Sequence, residues 1–127
     1  MTLLDTDFLV SILRGKVTSK DAVDIIENPG TTIINAYELY YGARRSKDPE
    51  KSFFEVDSLL KSIDILELDR SAAIKAGNIQ ADLMNSGKPV NILDVLIAAI
   101  AITNNEIICT KNIEHFKRIK GLKWKEW

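Results

Sequence analysis

Three acidic residues, Asp5, Glu38 and Asp94, lie where an apolar segment gives way to a helical pattern or just inside that pattern. Carboxylates gathered at one place repel each other and gain proton affinity unless a divalent cation neutralises them. Ligation by oxygen alone suits Mg²⁺ or Mn²⁺ better than Zn²⁺. The chain has one cysteine and one histidine, which excludes a Cys/His zinc cluster. We therefore expect an acidic site that binds Mg²⁺ or Mn²⁺.

The surroundings of Asp94 give the strongest reason to expect more than a structural role. Residues 92–104 form an apolar helical pattern that leaves the helix without a polar face, so its first turn is expected to be buried. An ionised carboxylate that is removed from water without a partner costs at least several kcal/mol. The sequence therefore predicts a cation, a metal or strong hydrogen-bond donors beside Asp94.

A structural alternative exists for each acid, because carboxylates are favourable near helix N-termini. Asn35 with Glu38, and Asn91 with Asp94, have the spacing of a capping box. Asp7 is either a further metal ligand or a cap of the first helix. These alternatives stay open when each acid is considered alone.

The elements that must position these acids alternate between strands and helices. The predicted strands cover residues 2–5, 31–35, 63–68 and 106–110. The predicted helices cover residues 6–14, 36–45, 49–61, 70–84 and 92–104, and another begins at Ser19 and ends at the turn Asn28-Pro29-Gly30. Such alternation predicts one α/β domain over residues 1–127, with a parallel sheet and helices on both faces. Ligands of such sheets bind beyond the carboxyl ends of the strands, where the three acids are expected to meet.

The charge of the chain is unevenly distributed. Its net charge is −1, but residues 111–127 carry +4 and residues 1–110 carry −5. This basic end either meets an anionic ligand or is an ordinary solvated surface. The longest nearly apolar stretch, residues 92–103, contains Asp94 and is well short of the roughly 20 residues that span a bilayer. We therefore expect a cytoplasmic protein with no membrane partner.

Four sequence motifs together resemble those of a known family. They are Leu4-Asp5-Thr6-Asp7, Glu38-Leu39-Tyr40-Tyr41-Gly42-Ala43, Asp94-Val95-Leu96-Ile97-Ala98-Ala99, and Thr110-Lys111-Asn112 followed by Phe116. In this order and spacing the chain resembles PIN-domain ribonucleases, and in particular the VapC toxins of prokaryotic toxin-antitoxin pairs. The resemblance covers essentially all 127 residues.

The resemblance implies a three-layer α/β/α PIN-like domain with a central parallel sheet of four to five strands. It implies a Mg²⁺- or Mn²⁺-dependent endoribonuclease in which Asp5, Glu38 and Asp94 bind metal, with Asp7 close by. It also implies a homodimer and an antitoxin partner. A nuclease needs basic residues around such an acidic centre to hold RNA. The candidates are Arg44, Arg45 and Lys47 beyond Glu38, and Lys111, Lys117 and Arg118 near the end of the chain.

The chain departs from the family pattern at the fourth acidic position, which aligns with Asn112. An amide can bind a metal-held water but adds no charge, so the number of ions, one or two, stays open. Glu114 is an alternative for this position, and the role of His115 is open.

Two other functions compete with the ribonuclease. One is a phosphatase of the haloacid-dehalogenase type, because Asp5-Thr6-Asp7 resembles its nucleophile motif. The other is a non-catalytic PIN-like module that binds RNA or protein through a decayed metal site.

Overall fold

The computed structural model describes residues 1–16 and 28–127, and the predicted helix from Ser19 lies outside them. The strands of this part of the chain are β1 (Thr2–Leu4), β2 (Pro29–Thr32), β3 (Asp64–Leu66), β4 (Ile107–Cys109) and β5 (Lys123–Lys125). Its helices are α1 (Thr6–Leu13), α2 (Ile33–Arg44), α3 (Pro49–Lys61), α4 (Arg70–Asn85), α5 (Ile92–Thr103) and α6 (Ile113–Phe116).

The strands form one parallel sheet in the order β3-β2-β1-β4-β5. The central strand, β1, is joined to its neighbours at its carboxyl end: Asp5 N donates to Cys109 O at 3.1 Å, and Thr31 Oγ1 donates to Leu4 O at 2.8 Å. The predicted α/β class and parallel sheet are confirmed, and the sheet has the larger of the two expected strand numbers. Asp5 therefore lies at the middle of the sheet edge where ligands bind in such folds.

Helices cover both faces of the sheet. Successive side chains of a strand point to opposite sides, so neighbouring strand residues pack against different helices. Leu3 and Ile108 pack against α4, α5 and α6 on one side. Leu4 and Cys109 pack against α1, α2 and α3 on the other side. The two apolar clusters give the predicted three-layer α/β/α arrangement.

The predicted boundary between the second strand and the next helix is wrong. The strand ends at Thr32 and α2 begins at Ile33, whereas the sequence predicted a strand through Asn35. Thr32 caps the helix: its hydroxyl accepts from Asn35 N at 3.3 Å and donates to Asn35 Oδ1 at 2.7 Å. A short apolar pair such as Ile33 and Ile34 fits a strand or a helix equally well. Asn35 is therefore inside the first turn, Glu38 is in the second turn, and the two do not form a capping box.

The predicted turn Asn28-Pro29-Gly30 is correct only at Asn28, whose φ of 53° is left-handed. Pro29 and Gly30 belong to β2, and proline is tolerated as the first residue of a strand. A Cβ atom on Gly30 would lie 2.6 Å from Met1 Sδ and 3.1 Å from Asp64 O. A larger residue there would have to displace the end of the Met1 side chain and press on the Asp64 carbonyl, so the site favours glycine.

The apolar helix α5 begins where the sequence predicted, with Asn91 as its N-cap. Val95 is fully buried, but Ile92 is 53% exposed and Leu93 and Asp94 are partly buried, so the prediction of a buried first turn is correct only at Val95. The Asp94 side chain is 17% exposed. Within residues 1–16 and 28–127, no helix combines the length and the apolar character needed to cross a membrane.

The basic end of the chain is part of the fold. It contains α6 and the edge strand β5, and Thr110 N donates to Lys125 O at 3.0 Å. Trp127 packs edge-to-face on Phe8, with ring centroids 4.6 Å apart. These contacts fix residues 110–127 against α1 and the sheet.

Candidate active site

Asp5 lies at the carboxyl end of β1 and is the N-cap of α1. Its Oδ1 accepts from Thr6 N at 2.9 Å and from Asn35 Nδ2 at 3.2 Å, and its Oδ2 accepts from Thr110 Oγ1 at 2.6 Å. The residue is only 9% exposed. Burial raises the pKa of the Asp5 carboxyl, against the opposing effect of the hydrogen bonds from Thr110 and Thr6. Asp5 is therefore a buried acid that is held in place by neutral donors.

Glu38 is joined to Asp5 through two polar side chains. Thr6 Oγ1 donates to Glu38 Oε1 at 2.9 Å and accepts from Asn35 Nδ2 at 3.0 Å. Because Thr32 occupies Asn35 Oδ1, the amide nitrogen of Asn35 is directed toward Asp5 and Thr6. Burial raises the pKa of Glu38, and the Thr6 hydroxyl opposes this rise.

Asp94 extends from the first turn of α5 and is held by residues of the segment that forms α6. His115 Nδ1 lies 2.8 Å from Asp94 Oδ2, and Asn112 Nδ2 donates to the same oxygen at 3.3 Å. The same His115 Nδ1 also lies 2.9 Å from Asn112 Nδ2. The tautomer with its proton on Nδ1 donates to Asp94, whereas the tautomer with its proton on Nε2 accepts from Asn112. Among the described residues no hydrogen bond reaches Asp94 Oδ1, which leaves that oxygen for a ligand.

The acids of this edge act electrostatically on one another. The charges of Asp94 and Asp7 raise the pKa of Asp5, and the charges of Asp5, Asp94 and Asp7 raise the pKa of Glu38. Asp7 is exposed in the first turn of α1, and the cap of that helix is Asp5, so the alternative that Asp7 is the cap is wrong. In the described part of the chain no lysine or arginine forms an ion pair with these four acids.

The donor set fits a hard divalent cation, because its oxygens are carboxylates and its negative charge is not balanced by lysine or arginine. Within residues 1–16 and 28–127, no three acidic, imidazole or thiol groups already surround one point closely enough to hold a metal. Binding therefore requires side-chain rotation or bridging waters. Mg²⁺ tolerates bridging waters because it keeps several of them when it binds to proteins.

The fourth acidic position of the family pattern falls on Asn112, which contacts Asp94 directly. Glu114, the alternative, is 73% exposed and pairs with Lys117 at 2.9 Å. This pairing lowers the pKa of Glu114. Glu114 is thus engaged on the surface, whereas Asn112 lies beside the acids.

The sequence did not predict how polar residues support the acids. Thr6, Asn35 and Thr110 donate to Asp5 or Glu38, and His115 Nδ1 lies 2.8 Å from Asp94 Oδ2. A signal was present, because each of the three polar residues lies at or just beyond the carboxyl end of a strand.

Four of the six predicted RNA-binding residues already have partners on the protein. Arg44 Nη1 lies 3.4 Å from Glu50 Oε1, and the Arg45 guanidinium lies over the Tyr41 ring, 5.8 Å from its centroid. Lys111 Nζ lies 4.0 Å from the centroid of the Trp127 ring, and Lys117 pairs with Glu114. Their part in RNA binding stays a prediction.

The fold and this arrangement of acids agree with what comparison with known proteins finds. The model of the PIN domain family matches residues 2–122. The chain therefore belongs to the PIN-domain family.

Within that family, its relatives are VapC ribonucleases. The chain is 33% identical to the tRNA(fMet)-specific endonuclease VapC of Shigella flexneri, over 98% of this chain and 96% of that protein. Two solved complexes are also similar. The DNA-bound VapBC of Salmonella typhimurium has a TM-score of 0.90 and 29% identity, over 99% of this chain and 97% of that one. VapBC2 of Rickettsia felis, bound to a promoter DNA fragment, has a TM-score of 0.88 and 25% identity, over 99% of this chain and 98% of that one.

Proposed function

We propose that this protein is a divalent-metal-dependent endoribonuclease and the toxin of a VapBC-type toxin-antitoxin pair. One observation carries the proposal: Asp5, Glu38, Asp94 and Asp7 act on one another at the carboxyl edge of the sheet without a neutralising lysine or arginine among the described residues. Such a site favours a divalent cation. The naming of similar full-length relatives as ribonucleases or endonucleases supports RNA cleavage.

Asp5, Glu38 and Asp94 would hold Mg²⁺ or Mn²⁺, with Asp7 at the exposed side of the site. When bound, the ion supplies an activated water and stabilises the negative charge that develops on the phosphate oxygens. The site without metal repels a phosphodiester, so the carboxylates bind RNA productively only after their charge is neutralised.

The other polar residues of the site orient the acids. Thr110 and Asn35 fix the two oxygens of Asp5, and Thr6 fixes one oxygen of Glu38. His115 and Asn112 contact Asp94 Oδ2, and no donor among the described residues contacts Asp94 Oδ1. These hydrogen bonds restrict the rotation of the acids, which limits the side-chain entropy lost when a hydrated metal ion binds.

The partners proposed for this chain are an RNA substrate, a cognate antitoxin protein and a second copy of the chain. The antitoxin is supported by the similarity to solved VapBC complexes from Salmonella typhimurium and Rickettsia felis. The homodimer rests on the family resemblance alone.

The test is cleavage of a mixed RNA pool by purified, antitoxin-free protein in Mg²⁺, in Mn²⁺ and in EDTA. Asp94→Asn should reduce metal-dependent cleavage at least about 100-fold, because several kcal/mol of charge stabilisation depend on the bound ion. Asp69→Asn is a matched control, since Asp69 caps α4 and contacts none of the site acids. A folded wild-type protein that cuts no RNA under any metal condition would overturn the proposal in favour of a non-catalytic binding module.

A further inference from the structure

A second concave surface lies between the C-terminal half of α4 and the residues that follow α6. This surface, here called the basic groove, has a volume of about 580 Å³. Its floor is formed by Ile79, Leu83 and Ile119, and its rim carries Lys75, Lys88, Arg118 and Lys120 together with Asp82. The floor residues are each at most 7% exposed, so they are part of the folded core.

The rim of the basic groove has an excess of three positive charges. Its four basic side chains form no ion pair or hydrogen bond with the described residues. Basic residues elsewhere are engaged: Lys61 pairs with Asp57 at 2.9 Å and Lys117 pairs with Glu114 at 2.9 Å. The Arg118 charge contributes, after that of Lys117, to the lowered pKa of Glu114. The four basic side chains still outnumber Asp82 on the rim, so the basic groove offers net positive charge to an anionic ligand.

The basic groove begins close to the candidate active site. Arg118 follows His115 by three residues, and His115 Nδ1 lies 2.8 Å from Asp94 Oδ2. Three residues span at most about 11 Å, so the Cα atom of Arg118 lies within that distance of the Cα atom of His115. The Arg118 end of the groove is therefore near the segment that contacts Asp94.

We propose that the basic groove binds the RNA strand on one side of the cleaved bond, through its phosphates. This inference rests on the proposed ribonuclease function. The acids at the site repel phosphates, so binding energy for RNA must come from positive charge nearby. The apolar floor accepts ribose and base faces, and Asn78, Asn85 and Ser86 on the lining supply hydrogen bonds to the same strand.

RNA explains the groove better than an acidic peptide does. A polymer substrate suits a rim that begins at Arg118, whose Cα atom lies within about 11 Å of the Cα atom of His115. Phosphates recur at every nucleotide, so a strand that leaves the site meets successive rim charges. The three-residue floor is small for the apolar anchors that usually carry a peptide interface.

The inference is tested by RNA binding in the cleavage-deficient Asp94→Asn background of the full chain. A labelled single-stranded 12-nucleotide RNA is titrated in Mg²⁺ at several salt concentrations, and binding is followed by fluorescence anisotropy. R118Q/K120Q should weaken binding about tenfold and reduce the slope of log affinity against log salt by about 1.4, at roughly 0.7 for each lost phosphate contact. The matched control K51Q/K61Q removes two lysines of α3 and should change the affinity less than about twofold.

Cleavage by the same variants in the wild-type background separates this inference from the proposed function. R118Q/K120Q should raise KM with kcat unchanged, because the groove binds RNA outside the reacting centre. If R118Q/K120Q cleaves RNA with unchanged KM and binds RNA as tightly as K51Q/K61Q, the basic groove does not bind RNA. The proposed ribonuclease function would be unaffected by that result. Absence of both RNA binding and cleavage would overturn both.

A glutamate-rich decapeptide is the competing ligand. Groove-dependent binding of this peptide without groove-dependent RNA binding would assign the surface to a protein partner and overturn the inference. If R118Q/K120Q does not fold, as judged by its thermal melt, K75Q/K88Q on the opposite rim replaces it with the same expected results.

Discussion

Replacing Asp5 by asparagine should abolish the stabilisation that Mg²⁺ gives to the folded protein. Asp5 is 9% exposed and forms no ion pair with the described residues. Asparagine preserves its size and the acceptor for Thr6 N, and its amide nitrogen can donate to Thr110 Oγ1 once that hydroxyl rotates. The substitution therefore removes one charge from the site and leaves the cap of α1 in place.

The size of the effect follows from mass action. A ligand at ten times its dissociation constant stabilises the folded state by about 1.4 kcal/mol, and at one hundred times by about 2.7 kcal/mol. For a chain of 127 residues, the unfolding entropy near the midpoint corresponds to a shift of about 4 °C in Tm for each kcal/mol. The wild type should thus gain about 5 °C at tenfold excess over its dissociation constant, and Asp5→Asn at the same concentration should gain less than about 1 °C.

The assay is thermal unfolding at increasing Mg²⁺, with Ca²⁺-free buffer and constant ionic strength. Asp69→Asn is the matched control, because Asp69 is also an N-cap, accepts from Ala72 N at 2.9 Å, and lies outside the site. It should keep the wild-type response. An equal Mg²⁺ response in wild type and Asp5→Asn would refute the assignment of Asp5 to the metal site, and a lost response in Asp69→Asn would show that the caps rather than the site control it.

Two further predictions concern neighbouring contacts. His115→Ala should weaken Mg²⁺ binding about 10- to 100-fold, the usual cost of losing the partner of a metal-binding carboxylate, and His115→Asn should weaken it less. The same Mg²⁺ titration measures both, and wild-type binding by His115→Ala would contradict the role given to the hydrogen bond with Asp94. Tyr40→Phe should destabilise the protein at neutral pH, because the Tyr40 hydroxyl donates to Asp57 Oδ1 at 2.7 Å and, with Lys61, lowers the pKa of Asp57. This contribution is present above the ordinary pKa of 3.8 and is lost as pH falls through the lower folded value, so the denaturation midpoints of the two proteins should converge in acid. A difference that stays constant from about pH 7 to about pH 2 would contradict this account.

The sequence predicted the layers of the fold because its apolar segments and caps were long or distinctive. The helices predicted over residues 49–61, 70–84 and 92–104 are present. Each is capped by the residue just before it, Asp48, Asp69 or Asn91, whose side chain accepts a hydrogen bond from the first turn. Asp5 was predicted at a strand end and is found there. These features depend on local spacing, which a single sequence contains.

The features that were not predicted depend on a short ambiguous segment and on tertiary contacts. Ile33 and Ile34 have the pattern of a strand, but Thr32 is the N-cap of α2 and both residues belong to that helix. Asn35 is therefore helical, and its side chain donates to Asp5. The contact between His115 and Asp94 requires α6 to lie against α5, which no local pattern specifies. Which side chains complete the candidate site therefore could not be read from spacing.

The hydrogen bond between Thr110 and Asp5 joins residues separated by 105 positions. At a synthesis rate of about 5–20 residues per second, roughly 5–20 s pass between the appearance of these two residues on the ribosome. Asp94 and His115 also belong to the last third of the chain. A nascent chain therefore has no assembled acidic site, and the ability to act on RNA begins only when translation has passed α6. Because the first strand lies at the centre of the sheet beside β4, Asp5 at its carboxyl end meets Thr110 only after the last third of the chain has been made. Activity therefore begins only when the fold is complete.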